Sequence, residues 1–349
     1  MIDMNSLFKL SMEHHASDIH IAVNSPPVLR IDGKLQVTDL KALPPDETRF
    51  LVYSILNDDQ KAYFEREKEL DFSFSIPGYD RFRVNVHYQK GNIEAAFRRI
   101  PSKIPSLDAL GVPSVAYDLI RRPNGLVLIT GPTGTGKSTT LAAMVNVINK
   151  EREEIIISIE DPIEYIHTNI KSVIKQREVY ADTNSFPEAL RRALRQDPDV
   201  IIVGEMRDLE TISTTITAAE TGHLVLATLH TPDAPQTIQR IIDVFPPHQQ
   251  KQVRVQLADC LQGVISQLLL SHITGEGRLL ATEILMATSG IRNLIREGEV
   301  AQIPSLIQMG AQHGMHTMDK CLKELFRKGK ITKETALRKV KNVTEFESL

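Results

Sequence analysis

The chain has 349 residues, 42% hydrophobic and 24% charged, with 41 basic and 44 acidic side chains and a net charge of −3. That length exceeds one ordinary core and predicts two domains, and the charge balance gives no overall basic field to attract nucleic acid. The two cysteines, Cys260 and Cys321, form no CxxC, which excludes a zinc module and a disulfide framework and points to a reducing, cytoplasmic setting. No signal peptide opens the chain, and no run of ~18 apolar residues could span a bilayer, so no direct membrane insertion is expected and any membrane link runs through a partner.

In chain order, Leu7, Leu10 and Met12 place a short helix at 4–15, and ASDIHIAV (16–23) alternates like a strand. Residues 27–37 hold Asp32-Gly33 between two β-type runs, a strong hairpin signal. Helices follow at 46–56 and 58–69, then strands at 71–76 and 81–88 around a turn at Pro77 to Asp80, and a third at 93–99. The 81–88 strand sets Phe82, Val84, Val86 and Tyr88 against Arg81, Arg83, Asn85 and His87. Together these predict a small α+β domain over 1–100. Pro101, Pro105 and Pro113 interrupt both helix and strand, making 101–114 an interdomain linker.

From residue 115 the pattern becomes apolar strands alternating with amphipathic helices, the signature of an α/β fold with a covered parallel sheet, which extends to 287. Its strand candidates are 126–130, 155–159, 200–203 and 224–229. Beyond it, 288–349 reads as a helical region with helices at 289–297, 317–328 and 332–341.

Between the first of these strands and a helix carrying Leu141, Val145 and Ile148 lies GPTGTGKST, made of Gly131, Pro132, Thr133, Gly134, Thr135, Gly136, Lys137, Ser138 and Thr139. Two glycines four residues apart, then lysine and a hydroxyl, form a phosphate loop whose backbone N–H groups converge on an anion at a helix start. Lys137 would neutralise the β and γ phosphates of ATP, and Ser138 would hold Mg²⁺.

Ligands of open parallel sheets bind at the carboxyl ends of the strands. One strand ends in IEDPIE with Glu160, Asp161 and Glu164, another in GEMRD with Glu205, and the third is bracketed by His223 and His230. Carboxylates and imidazoles on three successive strand ends beside a phosphate loop point to hydrolysis. Glu205 is the first choice for activating water or for the metal's outer shell, and Glu164 the second. Glu160 and Asp161 would organise the loop and the waters on magnesium, and His230 would contact the γ phosphate. His223, seven residues earlier, need not share that role. A phosphoryl-transfer site of this kind is commonly completed by arginine from elsewhere in an assembly. Arg81 and Arg83 share a strand face that on spacing alone is either solvated or functional; Arg98, Arg192 and Arg195 are further candidates.

GPTGTGKSTT, IEDPIE, RQDPDVIIVGEMRD and TGHLVLATLHT, in this order, resemble the Walker A, Asp, Walker B and His boxes of the secretion ATPase superfamily. With ASDIH, RFRVN, QREV at 176–179 and GIRNLIREG at 290–298, the chain resembles the type IV pilus retraction ATPases along almost its whole length. That resemblance implies a PAS-like N-terminal domain, a RecA-like P-loop NTPase domain, and a homohexamer with ATP between the two domains. It implies disassembly of pilin, reached indirectly through an inner-membrane pilus platform protein, by a cytoplasmic motor peripheral to that membrane. Arg81 and Arg83 match the family's arginine-finger strand, while Arg98 and Arg195 carry over less directly. Ile291, Arg292, Asn293, Leu294, Ile295, Arg296 and Glu297 match its retraction motif, although the i, i+3, i+4 apolar triplet alone means only a buried helix face. Two departures stand out: Gly290 where alanine is usual, which would let the helix start later or more loosely, and Ala227 where glycine is frequent.

Pilus extension and type II secretion ATPases are the nearest alternative; their usual four-cysteine zinc module has no counterpart here. A nucleic-acid motor on a RecA-like core would need a basic, aromatic-lined channel, and this chain has 5% aromatics and no tryptophan. A small-molecule kinase would leave the first domain's arginines unexplained, and a non-catalytic scaffold would not need Lys137, Ser138 and Glu205 together.

Overall fold

The computed structural model describes residues 2–31, 33–75, 80–100, 103–275 and 277–347. Asp32 of the hairpin signal, residues 77–79 of the expected turn, the last residue of the 71–76 strand and Pro101 of the linker lie outside the described residues. The chain divides into two compact units, Met1–Lys103 and Ile104–Leu349. No helix among the described residues is long and apolar enough to cross a membrane.

The first unit is an antiparallel sheet with helices on one face. Its strands are β1 (Asp18–Ile21), β2 (Val28–Ile31), β3 (Lys34–Val37), β4 (Glu69–Ser75), β5 (Arg81–Gln89) and β6 (Asn92–Ile100), in the order β3-β2-β1-β6-β5-β4. The alternation read in β5 is the pleat itself: Phe82, Val84 and Val86 are fully buried. They meet helix Met4–Glu13, whose Phe8 ring lies 4.5 Å from Phe82 and 5.5 Å from Phe97 of β6. Lys90 and Gly91 join β5 to β6 with φ of 50° and 79°, the two left-handed residues a tight hairpin needs. On the outer face Arg83 stands directly across from Arg98, and Arg98 is paired in register with Asp18, which accepts from its Nε at 2.9 Å.

In the second unit a largely parallel sheet is built from β7 (Gly125–Thr130), β8 (Ile155–Glu160), β9 (Val173–Glu178), β10 (Val200–Val203), β11 (Leu224–Leu229), β12 (Leu261–Ser271) and β13 (Arg278–Met286). The order is β13-β12-β7-β11-β10-β8-β9, and only β12 and β13 pair antiparallel. β7, β10 and β11 are buried at every residue, as strands covered by helices on both faces must be. This bears out the α/β expectation and its four central strands. β9, β12 and β13 flank those four and were not among the strand candidates.

The expected helix at 332–341 is shorter, Lys333–Leu337. The carboxylate of Asp319 accepts from the backbone N–H groups of Lys341 (2.9 Å) and Asn342 (3.0 Å), drawing the chain off the helical path.

Candidate active site

The phosphate loop leaves β7 at Thr130, whose hydroxyl donates to Ser266 on β12 at 2.8 Å. Gly131 follows with φ 143°; a Cβ there would lie 2.4 Å from the carbonyl oxygen of Gln267, so no other residue fits. Gly136, at φ 86°, caps helix Lys137–Glu151 and has no side chain to occupy the first-turn N–H groups. Those donors therefore point out of the helix toward whatever anion enters the loop, a fit for a nucleotide phosphate. Lys137 is buried, and its ammonium donates to the carbonyls of Gly131 (2.8 Å) and Pro132 (3.1 Å). Burial lowers its pKa, against the opposing pull of Glu205 and Glu164. Ser138 is half-buried in the first turn, where its hydroxyl would join Mg²⁺ to phosphate oxygens, and Thr139 Oγ1 meets the Tyr165 hydroxyl at 3.0 Å.

Sequence reasoning missed Gln267. This fully buried side chain donates its Nε2 to the carbonyl of Thr135 at 2.9 Å and supports the loop from β12, while its Oε1 has no partner. The available signal was a polar pair, Ser266-Gln267, interrupting an otherwise apolar run.

The strand ends converge as expected for β7, β10 and β11. Gly204 N donates to the Ile159 carbonyl at 2.8 Å, and Met206 N donates to that of Thr228 at 3.0 Å, so Glu205 is fixed between β8 and β11. Its carboxylate accepts from Arg207 Nε at 2.7 Å and Nη2 at 2.8 Å, and from His230 Nε2 at 3.1 Å. The other ring nitrogen of His230 lies 3.3 Å from Thr133 Oγ1 in the phosphate loop. With Nε2 donating to a carboxylate, Nδ1 is left to accept from the threonine hydroxyl. The chain Thr133, His230, Glu205, Arg207 thus joins the loop to the β10 strand end. Burial raises the Glu205 carboxyl, but the hydrogen bonds from Arg207 and His230 outweigh it and hold the pKa below the ordinary value.

At the end of β8 the expectation is met in part. Glu160 accepts from the Ser158 hydroxyl (2.6 Å) and Gln176 Nε2 (3.0 Å) with one oxygen, and from Glu164 N (3.4 Å) with the other. Burial pushes its carboxyl up. These contacts tie the half-buried Glu160 to the loop after β8. Asp161 and Glu164 are exposed. Among the described residues no three His, Cys, Asp or Glu side chains form a metal cluster; an ion in a phosphate loop takes its other ligands from phosphate and water.

Two candidates lie at the entering ends of strands. His223 precedes β11 and bonds the Ala218 carbonyl at 2.9 Å; the six residues of β11 then separate it from His230. Arg195 is exposed before the start of β10, so it too stands at the end opposite the loop. Arg192 pairs with Glu188 at 2.7 Å on helix Phe186–Ala193. Arg81, Arg83 and Arg98 belong to the first unit's sheet.

The segment after Asp161 carries a buried imidazole. His167 Nδ1 has no partner, and burial lowers its pKa from 6.5 to about 4. The unfolded chain therefore binds a proton that the folded chain refuses between those values, and stability falls as pH drops from about 6.5 toward 4. From pH 7.5 to 5.5 this one group should cost about 1.4 kcal/mol. Urea unfolding of wild type and His167→Phe at both pH values measures it: the variant should lose less stability than wild type by that amount, and equal losses would refute the assignment.

The helix Ser289–Glu297 begins where Thr288 Oγ1 accepts from Ile291 N, so Gly290 neither delays nor loosens its start. Ile291 and Ile295 are fully buried and Leu294 is half-buried, which makes the apolar triplet largely a core face. Arg292 donates to the carbonyls of Ala258, Asp259 (2.7 Å) and Ala287 (3.0 Å), and Arg296 pairs with Asp259 at 2.6 Å. Arg292 thus satisfies the open carbonyl end of helix Pro247–Cys260, which runs directly into β12, while Arg296 binds the carboxylate of Asp259 beside it. Asn293 and Glu297 face solvent. Ala227 is a buried β11 residue without contact to a proposed catalytic atom.

The buried Glu283 of β13 was also missed. Its oxygens accept from Ala234 N (3.0 Å) and Met318 N (3.4 Å), tying the helix after the His230 loop to helix Met318–Arg327. Asp233, which caps that first helix, pairs with Lys341 at 2.5 Å. The C-terminal region is therefore anchored three residues from His230.

The Type II/IV secretion system protein family matches residues 2–338. Over 340 residues the chain is 50% identical to the type IV pilus retraction ATPase PilT of Pseudomonas aeruginosa, covering 97% of this chain and 98% of that one. It is 48% identical over 316 residues to a twitching motility protein of Neisseria gonorrhoeae, covering 90% and 84%. The crystal structure of the pilus retraction motor PilT with bound ADP matches it with a TM-score of 0.95 at 48% identity, over 100% of both chains.

Proposed function

The chain belongs to the Type II/IV secretion system protein family, and on that premise we propose that it is an ATP-hydrolysing motor that powers retraction of type IV pili. The observation that carries the reading is the hydrogen-bonded link from Thr133 of the phosphate loop through His230 to Glu205, because it joins the loop to a carboxylate through an imidazole. Near-complete similarity to a pilus retraction ATPase and to a twitching motility protein supports retraction over extension or secretion.

In this reading the first-turn N–H groups of helix Lys137–Glu151 and the Lys137 ammonium hold the phosphates of ATP. Ser138 would hold Mg²⁺, which would supply positive charge to offset that of the phosphates. Glu205 orients and deprotonates the attacking water, Glu164 being the alternative base, and His230 senses the γ phosphate. Arg81 and Arg83 supply positive charge to the site of a neighbouring copy in a homohexamer. The division into a PAS-like domain (1–100), a linker (101–114), a RecA-like core (115–287) and a helical region (288–349) assigns these roles to separate parts of the chain. The motor works in the cytoplasm against an inner-membrane platform protein and reaches pilin through it. Of the retraction motif, Asn293, Glu297 and the exposed part of Leu294 are its contact surface, since Ile291 and Ile295 belong to the core.

Deletion in the host should leave cells hyperpiliated and unable to twitch. Wild-type complementation should restore movement and a Lys137→Ala copy should not. Normal twitching in the deletion strain, or rescue by Lys137→Ala, would refute an ATP-driven retraction role.

A further inference from the structure

Arg207 has a role that the phosphate loop and its partner boxes do not assign. It lies two residues beyond Glu205, and its side chain is 69% exposed while that of Glu205 is 19% exposed. The guanidinium meets the carboxylate as a fork, Nε on one oxygen at 2.7 Å and Nη2 on the other at 2.8 Å. A bidentate guanidinium takes from each oxygen the lone pair directed away from the side chain, the more basic one. His230 takes a further position on Oε2 at 3.1 Å. Held this way, Glu205 presents a water molecule with only its weaker lone pairs, a poor arrangement for a general base that must sit within hydrogen-bond reach of the proton it removes.

The fork is also easily undone. Glu205 is fixed on both sides by backbone bonds to Ile159 and Thr228 through its neighbours, whereas the Arg207 side chain is largely exposed.

We propose that Arg207 is a latch on Glu205: paired, it holds the carboxylate in a resting arrangement, and its release frees Glu205 to act on water. Arg207 is a positioning residue, since it acts on the reaction through Glu205. The proposal rests on the assignment of Glu205 to water activation, and its test separates the two.

Full-length wild type, Arg207→Gln, Arg207→Lys, Glu205→Gln and the Arg207→Gln/Glu205→Gln pair are compared in single-turnover ATP hydrolysis with Mg²⁺, in steady state, and in fluorescent ATP-analogue binding. Arg207→Gln keeps a polar side chain, shorter than arginine, and removes the charge. It should speed single turnover and raise kcat about twofold to fivefold, the range that an exposed ion pair commands, with KM and nucleotide affinity unchanged. Arg207→Lys keeps the charge without the fork and should fall between. The gain should vanish in the double variant. An unchanged or slower Arg207→Gln, with Glu205→Gln inactive, overturns the latch alone; wild-type hydrolysis by Glu205→Gln overturns the assignment beneath it. Equal thermal midpoints for wild type and Arg207→Gln show that the exposed substitution leaves the fold intact.

Discussion

Glu205→Gln should lower ATP hydrolysis by about a hundredfold to ten-thousandfold, the range that a positioned general base supplies, while nucleotide affinity stays within a few-fold of wild type. Binding rests on the loop: the donors at the start of helix Lys137–Glu151, the Gly131 turn closed against Gln267, and Lys137. None of these touches Glu205 directly. What the substitution removes is the negative charge that Arg207 and His230 jointly hold below the ordinary carboxylate pKa, and with it the capacity to take a proton from water. Phosphate release and fluorescent-nucleotide titration on the same preparations measure the two quantities. Parallel loss of binding would make Glu205 part of the loop's support, and a larger loss of turnover in Glu164→Gln would move the base to that residue.

The central sheet was legible because strands buried on both faces have a plain signature. Ile155 to Ile159, Val200 to Val203 and Leu224 to Leu229 are short runs of Ile, Val and Leu with almost no polar interruption, and they lead within two residues to Glu160, Glu205 and His230. β9 is an edge strand that alternates charged and half-buried residues, so its apolar content is too thin to read. β12 continues from Cys260 without a breaking residue, and its start is marked by Arg292 donating to backbone carbonyls from the helix 289–297. That contact joins residues 33 apart, beyond any local pattern. The separation of His223 from His230 has a simple cause. A strand rises ~3.3 Å per residue, so residues that bracket a strand in sequence stand at opposite ends of the sheet. Polar side chains at the entering ends meet only turns.

The retraction motif shows the same limit from the other side. Its apolar spacing correctly indicates a helix face packed on the core, and Ile291 and Ile295 are fully buried. Of its arginines, Arg292 closes the carbonyl end of another helix and Arg296 pairs with the Asp259 carboxylate there. The motif thus couples the chain entering β12, the strand that carries Gln267 beneath the phosphate loop, to a helix whose remaining face is open to solvent.

The double variant Arg81→Ala/Arg83→Ala should lose about a thousandfold in hydrolysis, the low end of what an arginine finger supplies, and retain nucleotide binding. Its fold should hold, because the core face of β5 is Phe82, Val84 and Val86, which the substitutions leave in place. The sheet itself argues for a function on the other face. Arg83 stands directly across from Arg98, an arrangement in which like charges repel. Asp18 offsets Arg98 at 2.9 Å while also lying 3.7 Å from Arg30. A merely solvated face gains nothing from crowding guanidinium groups, whereas a face that meets the phosphates of another copy does. Mixing decides whose phosphates they are. The double variant keeps an intact loop, and a Lys137→Ala variant keeps intact arginines. If the arginines serve a neighbour's site, mixed assemblies of the two should regain hydrolysis that neither shows alone, and the regained rate should rise with protein concentration through the assembly range. If each subunit's arginines served its own loop, every subunit in the mixture would be defective and no activity would return.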